Sequence, residues 1–346
     1  MPITILALAL LLAGPPPKPG FQGVGDLPGG EFSSEALAVS DDGRVVAGRS
    51  ASAQSGEEGF VWIQASGLRP LLGPGGAHVA GEPRAINPSG SVIAGKIDPL
   101  RAARWTASHG WSVLDDLEGG ASESQVLGVS ADGSVLVGWG ASAAGLEAAR
   151  WVDGRAVAMG DLPGGAFHSG AAQVSADGKT IVGTGTTADG SEVFVWKEAT
   201  GMVGLGDLPG GDHASEPFGM NPDATVVVGK ATSERGLEAM RWTAAGGMKG
   251  LGDLPGGDFS SIAFDVSSDG KVVVGTATSA SGAAAFVWDA EHGMRSLKDV
   301  LLAAGVGAVA SWTLTEATGI SADGRVVVGN GTNAAGRPEG WVARLP

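Results

Sequence analysis

The six residues GDLPGG stand at residues 25–30, 160–165, 206–211 and 252–257, and blurred copies occur near Leu72 and Asp116. A reaction centre is needed once, whereas a unit that cannot bury its own apolar face must be stacked on copies of itself. Repetition therefore restricts this chain more than any other feature. Aligned on itself, the sequence has a period of about 45 residues with three landmarks per unit.

The first landmark is a hairpin such as VSADGKTIVG (residues 174–183), in which an apolar entry, a Ser-Ala-Asp-Gly turn and a β-branched exit predict two antiparallel strands. It occurs seven times, with the exit strand expected to end at Gly48, Gly95, Gly138, Gly183, Gly229, Gly275 and Gly329. The second is a strand ending in Trp: Trp62, Trp105, Trp151, Trp196, Trp242 and Trp288. In the last unit Trp341 takes the Phe position of this strand and Ala343 the Trp position. One aromatic at a fixed place per unit suits packing between neighbouring sheets. The third is a strand such as GMVGLGDL (residues 201–208), closed by Pro-Gly-Gly, which halts the strand and turns the chain.

Four strands per unit and seven units predict an all-β fold, a seven-bladed β-propeller of four-stranded blades. Closure is expected because FQGVGDLPGG (residues 21–30) reads as a fourth strand without its first three, and EGWVARLP (residues 339–346) as a third without its fourth. The last blade is thus expected to be completed by an N-terminal strand, leaving no free sheet edge. Residues 19–346 would form the propeller. Between Leu297 and Thr313 the motif gives way to LKDVLLAAGVGAVASW, read as one or two helical turns stopped by Gly305.

Composition agrees. Sixty Gly, 18 Pro and 43% apolar residues describe short strands and tight turns. A net charge of −15 with only 22 Lys and Arg argues against nucleic acid and against anionic membrane surfaces. The chain has no Cys, so disulfides, thiolate metal sites and thiol nucleophiles are excluded. Residues 1–18 read as a secretory signal or a disordered N-terminal segment, since the apolar run at residues 3–13 is too short to span a bilayer. A secreted or periplasmic monomer is expected, with no membrane span.

These motifs resemble the HAF repeat family of extracellular bacterial proteins, over residues 21–345. An HAFxW-like strand, a G-x-LxxLPGG-like segment and an xSxDGxxVVG hairpin occur in the family's order, and residues 312–333 resemble its usual last repeat. The resemblance implies a propeller-like exported protein and says little about activity. The family's His is absent: its position holds Glu58, Arg101, Glu147, Glu192, Glu238, Ala284 and Glu339.

Candidate site residues follow from the faces that loops share. Loops entering the innermost strand and loops between the second and third strands emerge on one face of a propeller. Five residues before each hairpin Ser or Asn stand Glu35, Glu82, Gln125, Gly170, Glu216, Ile262 and Glu316, an inner set near the channel mouth. Glu58, Glu147, Glu192, Glu238 and Glu339 form an outer set. Such a face would attract cations or basic segments; the plainer reading is solvated strand-end charges, some paired with Arg84, Arg101 or Arg104. His168 and His213 occupy equivalent loops on neighbouring units, where solvated His is the commoner outcome. Trp139, out of phase with the core Trp, is the stacking candidate. The turn residues Asp42, Asp132, Asp177, Asp223, Asp269 and Asp323 are where calcium would be sought, but accepting backbone amides explains them. Asp26, Asp116, Asp161, Asp207, Asp253 and Asp299 are read as capping the PGG turn. No cofactor is expected. The function expected is a non-enzymatic binding scaffold for an extracellular protein, glycan or cation; the alternative is a carboxylate-dependent lyase or hydrolase acting on an extracellular polysaccharide.

Overall fold

The computed structural model describes residues 18–346, so the expected signal segment lies outside it apart from Lys18. Each sequence hairpin is the start of an antiparallel run of four strands. Gly119–Val129, Val135–Ser142, Gly145–Val152 and Arg155–Ala158 lie side by side in chain order. Separate sheets of the same kind run from Gly29–Val39 to Gly67–Pro70 and from Gly81–Ile86 to Gly110–Val113. Between Gly170 and Ser296 such runs merge into a twelve-stranded sheet, joined only through single parallel pairs, Ser191 with Ala214 and Leu237 with Ser260. The remaining sheet consists of Thr313–Ile320, Val326–Thr332 and Pro338–Arg344, and its fourth strand is Gly20–Gly23, with Phe21 opposite Ala343. The pairing expected between the two ends of the repeat array is therefore present.

Two boundaries differ from the sequence reading. GDLPGG is not a fourth strand, because that strand is four residues long and ends earlier, as in Gly201–Gly204. The motif's Gly-Gly instead opens the next innermost strand, Gly210–Met220. Between them Asp207 accepts N–H bonds from Leu208 (2.8 Å) and Ala214 (2.7 Å), and Asp161 and Asp253 do the same in their units. Asp299 does not cap a PGG turn; it lies in the first turn of the helix Leu297–Ala303. Nor do exit strands end at the hairpin glycine: Val135–Ser142 continues past Gly138. That glycine sits against a β-bulge, and a Cβ on Gly138, Gly48 or Gly275 would be driven into the carbonyl oxygen of Gln125, Glu35 or Ile262.

The turns are held as the sequence predicts. Ser130 Oγ accepts the Val135 N–H (3.0 Å) and donates to Asp132 (2.8 Å), which accepts the Ser134 N–H (2.9 Å). These bonds hold the Asp132 carboxyl down at about 2. Gly133 takes φ +72°, whereas the turn residue Ala224 has φ +57° with a side chain to accommodate.

One device emerges only in three dimensions. The residue after each hairpin Ser or Asn links to the next unit around the ring. Asp41 donates its N–H to the Pro88 carbonyl (3.1 Å), Ala131 to Ala176 (3.1 Å), Ala176 to Pro222 (2.8 Å), Ser268 to Ala322 (3.1 Å) and Ala322 back to Asp41 (3.0 Å). Pro88 and Pro222 have no N–H. In both places Ser is replaced by Asn, whose amide donates instead: Asn87 Nδ2 to Ala131 O (3.2 Å) and Asn221 Nδ2 to Ser268 O (3.3 Å). Asn87 Oδ1 still accepts the Val92 N–H (2.9 Å), the bond a hairpin Ser would make. The Asn-Pro hairpins thus keep the belt closed.

Apolar residues of adjoining sheets interdigitate. Ala94 and Ala102 of one sheet meet Leu117, Val126, Leu136 and Trp151 of the next. Across the closure, Val24, Ala36, Val46 and Phe60 meet Val328 and Val342. Trp341 is fully buried, and Phe21 lies between it and Trp312, meeting the latter edge-on at 5.1 Å. The helix Leu297–Ala303 ends as expected, with Gly305 at φ +82°, and buries Leu297 and Leu301 in the same cluster.

Candidate functional site

The innermost strands enclose a central cavity of about 1060 Å³. Of the inner set, Glu35, Gln125, Gly170, Glu216 and Glu316 line it, while Glu82 and Ile262 do not. The expected acidic field is reduced, because each of these glutamates faces a partner on its own exit strand, cationic for Glu35 and Glu216 and an amide for Glu316. Glu35 accepts from Arg49 Nε (2.9 Å) and Nη2 (3.0 Å), Glu216 lies 2.8 Å from Lys230, and Asn330 Nδ2 donates to Glu316 at 2.9 Å. Glu82 is paired with Arg84 and with Lys96 (3.2 Å). The Arg49 guanidinium is in turn held above its ordinary pKa, the hydrogen bond to Glu35 leading the causes. Pairing of Arg84 was expected from sequence, whereas Arg49, Lys96, Lys230 and Asn330 were missed because they stand 14 positions downstream on another strand.

The outer set is a clearer correction. These carboxylates are not presented to solvent: Glu58, Glu147, Glu238 and Glu339 are buried and Glu192 nearly so. Four of them accept the N–H of the first residue of a GDL motif: Glu147 from Gly160 (2.9 Å), Glu192 from Gly206 (2.8 Å), Glu238 from Gly252 (2.9 Å) and Glu339 from Gly25 (3.0 Å). Where GDL is replaced, so is the bond. Glu58 binds Ser52 (2.5 Å) and His78 (2.8 Å) instead, and these outweigh burial to leave its pKa below the ordinary carboxylate value. Arg101, at the same position of the next unit, pairs with Asp116 at 3.1 Å. In the four GDL units these side chains clamp the segment just after the fourth strand to the third.

The histidines separate. His213 is tied to Glu192 (3.1 Å), whereas His168 is exposed and stands at the cavity wall. Trp139 also lines the cavity, directly opposite Gln125 in the sheet register. Gln125 is 8% exposed and its Nε2 has no hydrogen-bond partner. Among the described residues no group of three or more His, Asp or Glu is placed to hold a metal ion. No helix among them is long and apolar enough to cross a membrane.

One wall residue was not singled out by sequence. Asp265 precedes its hairpin where other units carry Ala38, Ala85, Gly128, Gln173, Gly219 and Gly319. It accepts N–H bonds from Ile320 (2.9 Å) and Val266 (2.8 Å), but desolvation, with Asp41 adding, pushes its pKa up to about 7. A unit-by-unit comparison of that one column would have exposed it.

No protein-family model matches the chain, and no curated protein does. Solved structures do. An oligogalacturonate lyase from Vibrio parahaemolyticus aligns at TM-score 0.59 and 11% identity, covering 95% of this chain and 98% of that one. The β-propeller domain of the Trilobed protease from Pyrococcus furiosus aligns at 0.58 and 11%, covering 91% and 94%. The WD40 repeats of RRP9 align at 0.56 and 15%, covering 95% and 99%. At such identities the likeness speaks for architecture alone: the chain has the β-propeller fold.

Proposed function

We propose that the chain is an exported, non-enzymatic β-propeller of seven blades, built from HAF-type repeats, that binds a ligand at the mouth of its central channel. The blade number is supported by the four-strand runs and by the belt of hydrogen bonds that passes from each run to the next. The binding reading is carried by one observation. The recurrent glutamates and turn hydroxyls are bonded within the repeat, while the mouth departs from it at adjacent places, Gln125 with Trp139 and Gly170 with Thr184. Ligand sites arise where one unit differs from its copies. Pairing of Glu35 with Arg49 and of Glu216 with Lys230 compensates two of the mouth carboxylates, and the unit carrying Gln125 and Trp139 has none at these positions, which turns the proposal away from a cation and toward a glycan or a protein segment.

An enzymatic reading has a specific observation behind it. Asp265, with its pKa near 7, has the proton affinity of a general base, and it lies in the channel wall. A polysaccharide lyase or hydrolase would use it there. Against this, both carboxylate oxygens are engaged by Ile320 and Val266.

The test compares the wild type with Ala172→Trp, which plugs the channel wall, against saccharides, peptides and calcium by titration calorimetry. Binding that the plug abolishes, without polysaccharide turnover, is the expected result. Turnover lost in Asp265→Asn, or binding that ignores the plug, would overturn the scaffold reading.

A further inference from the structure

We infer that a recess at the channel mouth, between the sheet ending at Arg155–Ala158 and the run beginning at Gly170, is a binding site for a single uncharged saccharide ring, with the Trp139 indole as its platform. The inference rests on the channel-mouth reading above and deepens it.

At the mouth each unit sets one side chain of its innermost strand directly against one of its exit strand. In most units the pair satisfies itself: Glu35 with Arg49, Glu82 with Lys96, Glu216 with Lys230 and Glu316 with Asn330. In one unit the pair is Gln125 with Trp139. An indole offers no lone pair to an amide donor. Gln125 Nε2 accordingly has no partner although the residue is only 8% exposed. A buried amide donor left unsatisfied is costly, and a ligand oxygen would relieve it.

The neighbouring unit leaves the Trp139 side of this pair, half-buried in the cavity wall, open to the channel, with the Gln125 amide beneath it. Its innermost strand begins only at Gly170 and runs five residues, where the strands Gly119–Val129 and Gly210–Met220 run eleven. Gly170 occupies the position that is Glu in four other units. A Cβ placed there would meet only Trp139 Cβ, at 3.8 Å, so the space over Gly170 is open. Opposite Gly170 stands Thr184, also in the cavity wall. Exposed Leu146 and His168 complete the rim.

An indole, an amide donor and a hydroxyl, with no charge in either pair, match the two sides of a pyranose. Its C–H face packs on an aromatic plane and its hydroxyls take up directed hydrogen bonds. A cation would find no carboxylate in these pairs, and an anion would find no Lys or Arg.

The test measures binding of methyl β-glucoside, methyl α-galactoside, cellotriose, chitotriose and trigalacturonate to the full chain by saturation-transfer NMR and calorimetry. At least one uncharged saccharide is expected to bind. Its affinity should fall by roughly tenfold or more in Trp139→Ala and be largely kept in Trp139→Phe. Gly170→Glu, which restores the side chain carried by other units, should abolish binding. Should Trp139→Ala fail to fold, Gly170→Glu decides alone, because its side chain enters open space. Saccharide binding blocked by Ala172→Trp yet insensitive to Trp139 and Gly170 substitution would overturn this inference and leave the channel reading standing. Binding insensitive to all three would overturn both. No binding by any uncharged saccharide would overturn the inference, and binding of trigalacturonate alone would contradict its uncharged class.

Discussion

The hydrogen-bond belt can be opened at one link, Asn87. Asn87→Ser keeps the acceptor that the Val92 N–H needs, since Ser40 and Ser130 do the same for Val45 and Val135. It removes the donor to Ala131 O, and Pro88 has no N–H to replace it. A second, 3.3 Å bond from Nδ2 to Ser91 Oγ goes with it; the belt bond itself is worth about 1 kcal/mol and up to ~2 kcal/mol if the carbonyl is left dry. Pro88→Ala alone supplies an N–H to a carbonyl already bonded, and should change stability by less than about 1 kcal/mol. The double variant recreates the Ser-Ala pair of residues 130–131, whose Ala131 N–H reaches Ala176 O at 3.1 Å. It should recover most of the loss. Urea unfolding of the four proteins gives the coupling, expected at about 1 kcal/mol. Additive single effects, with coupling below about 0.3 kcal/mol, would refute the claim that Asn and Pro act as one device.

Other outcomes follow from the same structure. Ala224→Gly relieves the left-handed turn at φ +57° and should stabilise by about 1 kcal/mol, seen as a rise in the urea midpoint without a change in slope. Glu147→Ala should destabilise by about 1–3 kcal/mol, because the Gly160 N–H loses its acceptor, while saccharide affinity stays unchanged. Asp265 binds a proton more tightly folded than unfolded, so its contribution to stability falls as pH rises from about 4 to about 7. Asp265→Asn should therefore flatten the wild-type stability profile over that window, and an unchanged profile would refute the assignment.

Much of the architecture was legible because its causes are local. A Ser-x-Asp-Gly turn closes within five residues, and a continuous β-branched exit run declares a buried strand without reference to the rest of the chain. The helical insertion was legible for the same reason, from a Leu run stopped by Gly305. Strand ends were less so. The repeated glycine at Gly138 looked like a terminus, yet its reason is steric and comes from a bulge on the partner strand.

The acidic positions show where sequence reasoning stopped. Glu147 and Glu238 looked like loop-face charges because the N–H groups they accept from, on Gly160 and Gly252, lie 13 and 14 residues away across a turn. Glu35 and Glu216 looked unpaired because Arg49 and Lys230 stand on the next strand. Trp139 was visible as an aromatic out of phase, but its meaning depends on the absence of a side chain at Gly170 in another unit.

By itself, then, the sequence determined the repeating four-strand unit, the turns within it and the partnership of its two ends, all set by short-range backbone preference and periodic apolar residues. Tertiary structure alone decided which carboxylates are paired, which buried polar groups are left without a partner and where a cavity opens. Those properties belong to side chains brought together around a common axis by units far apart in the chain, and no local pattern encodes that convergence.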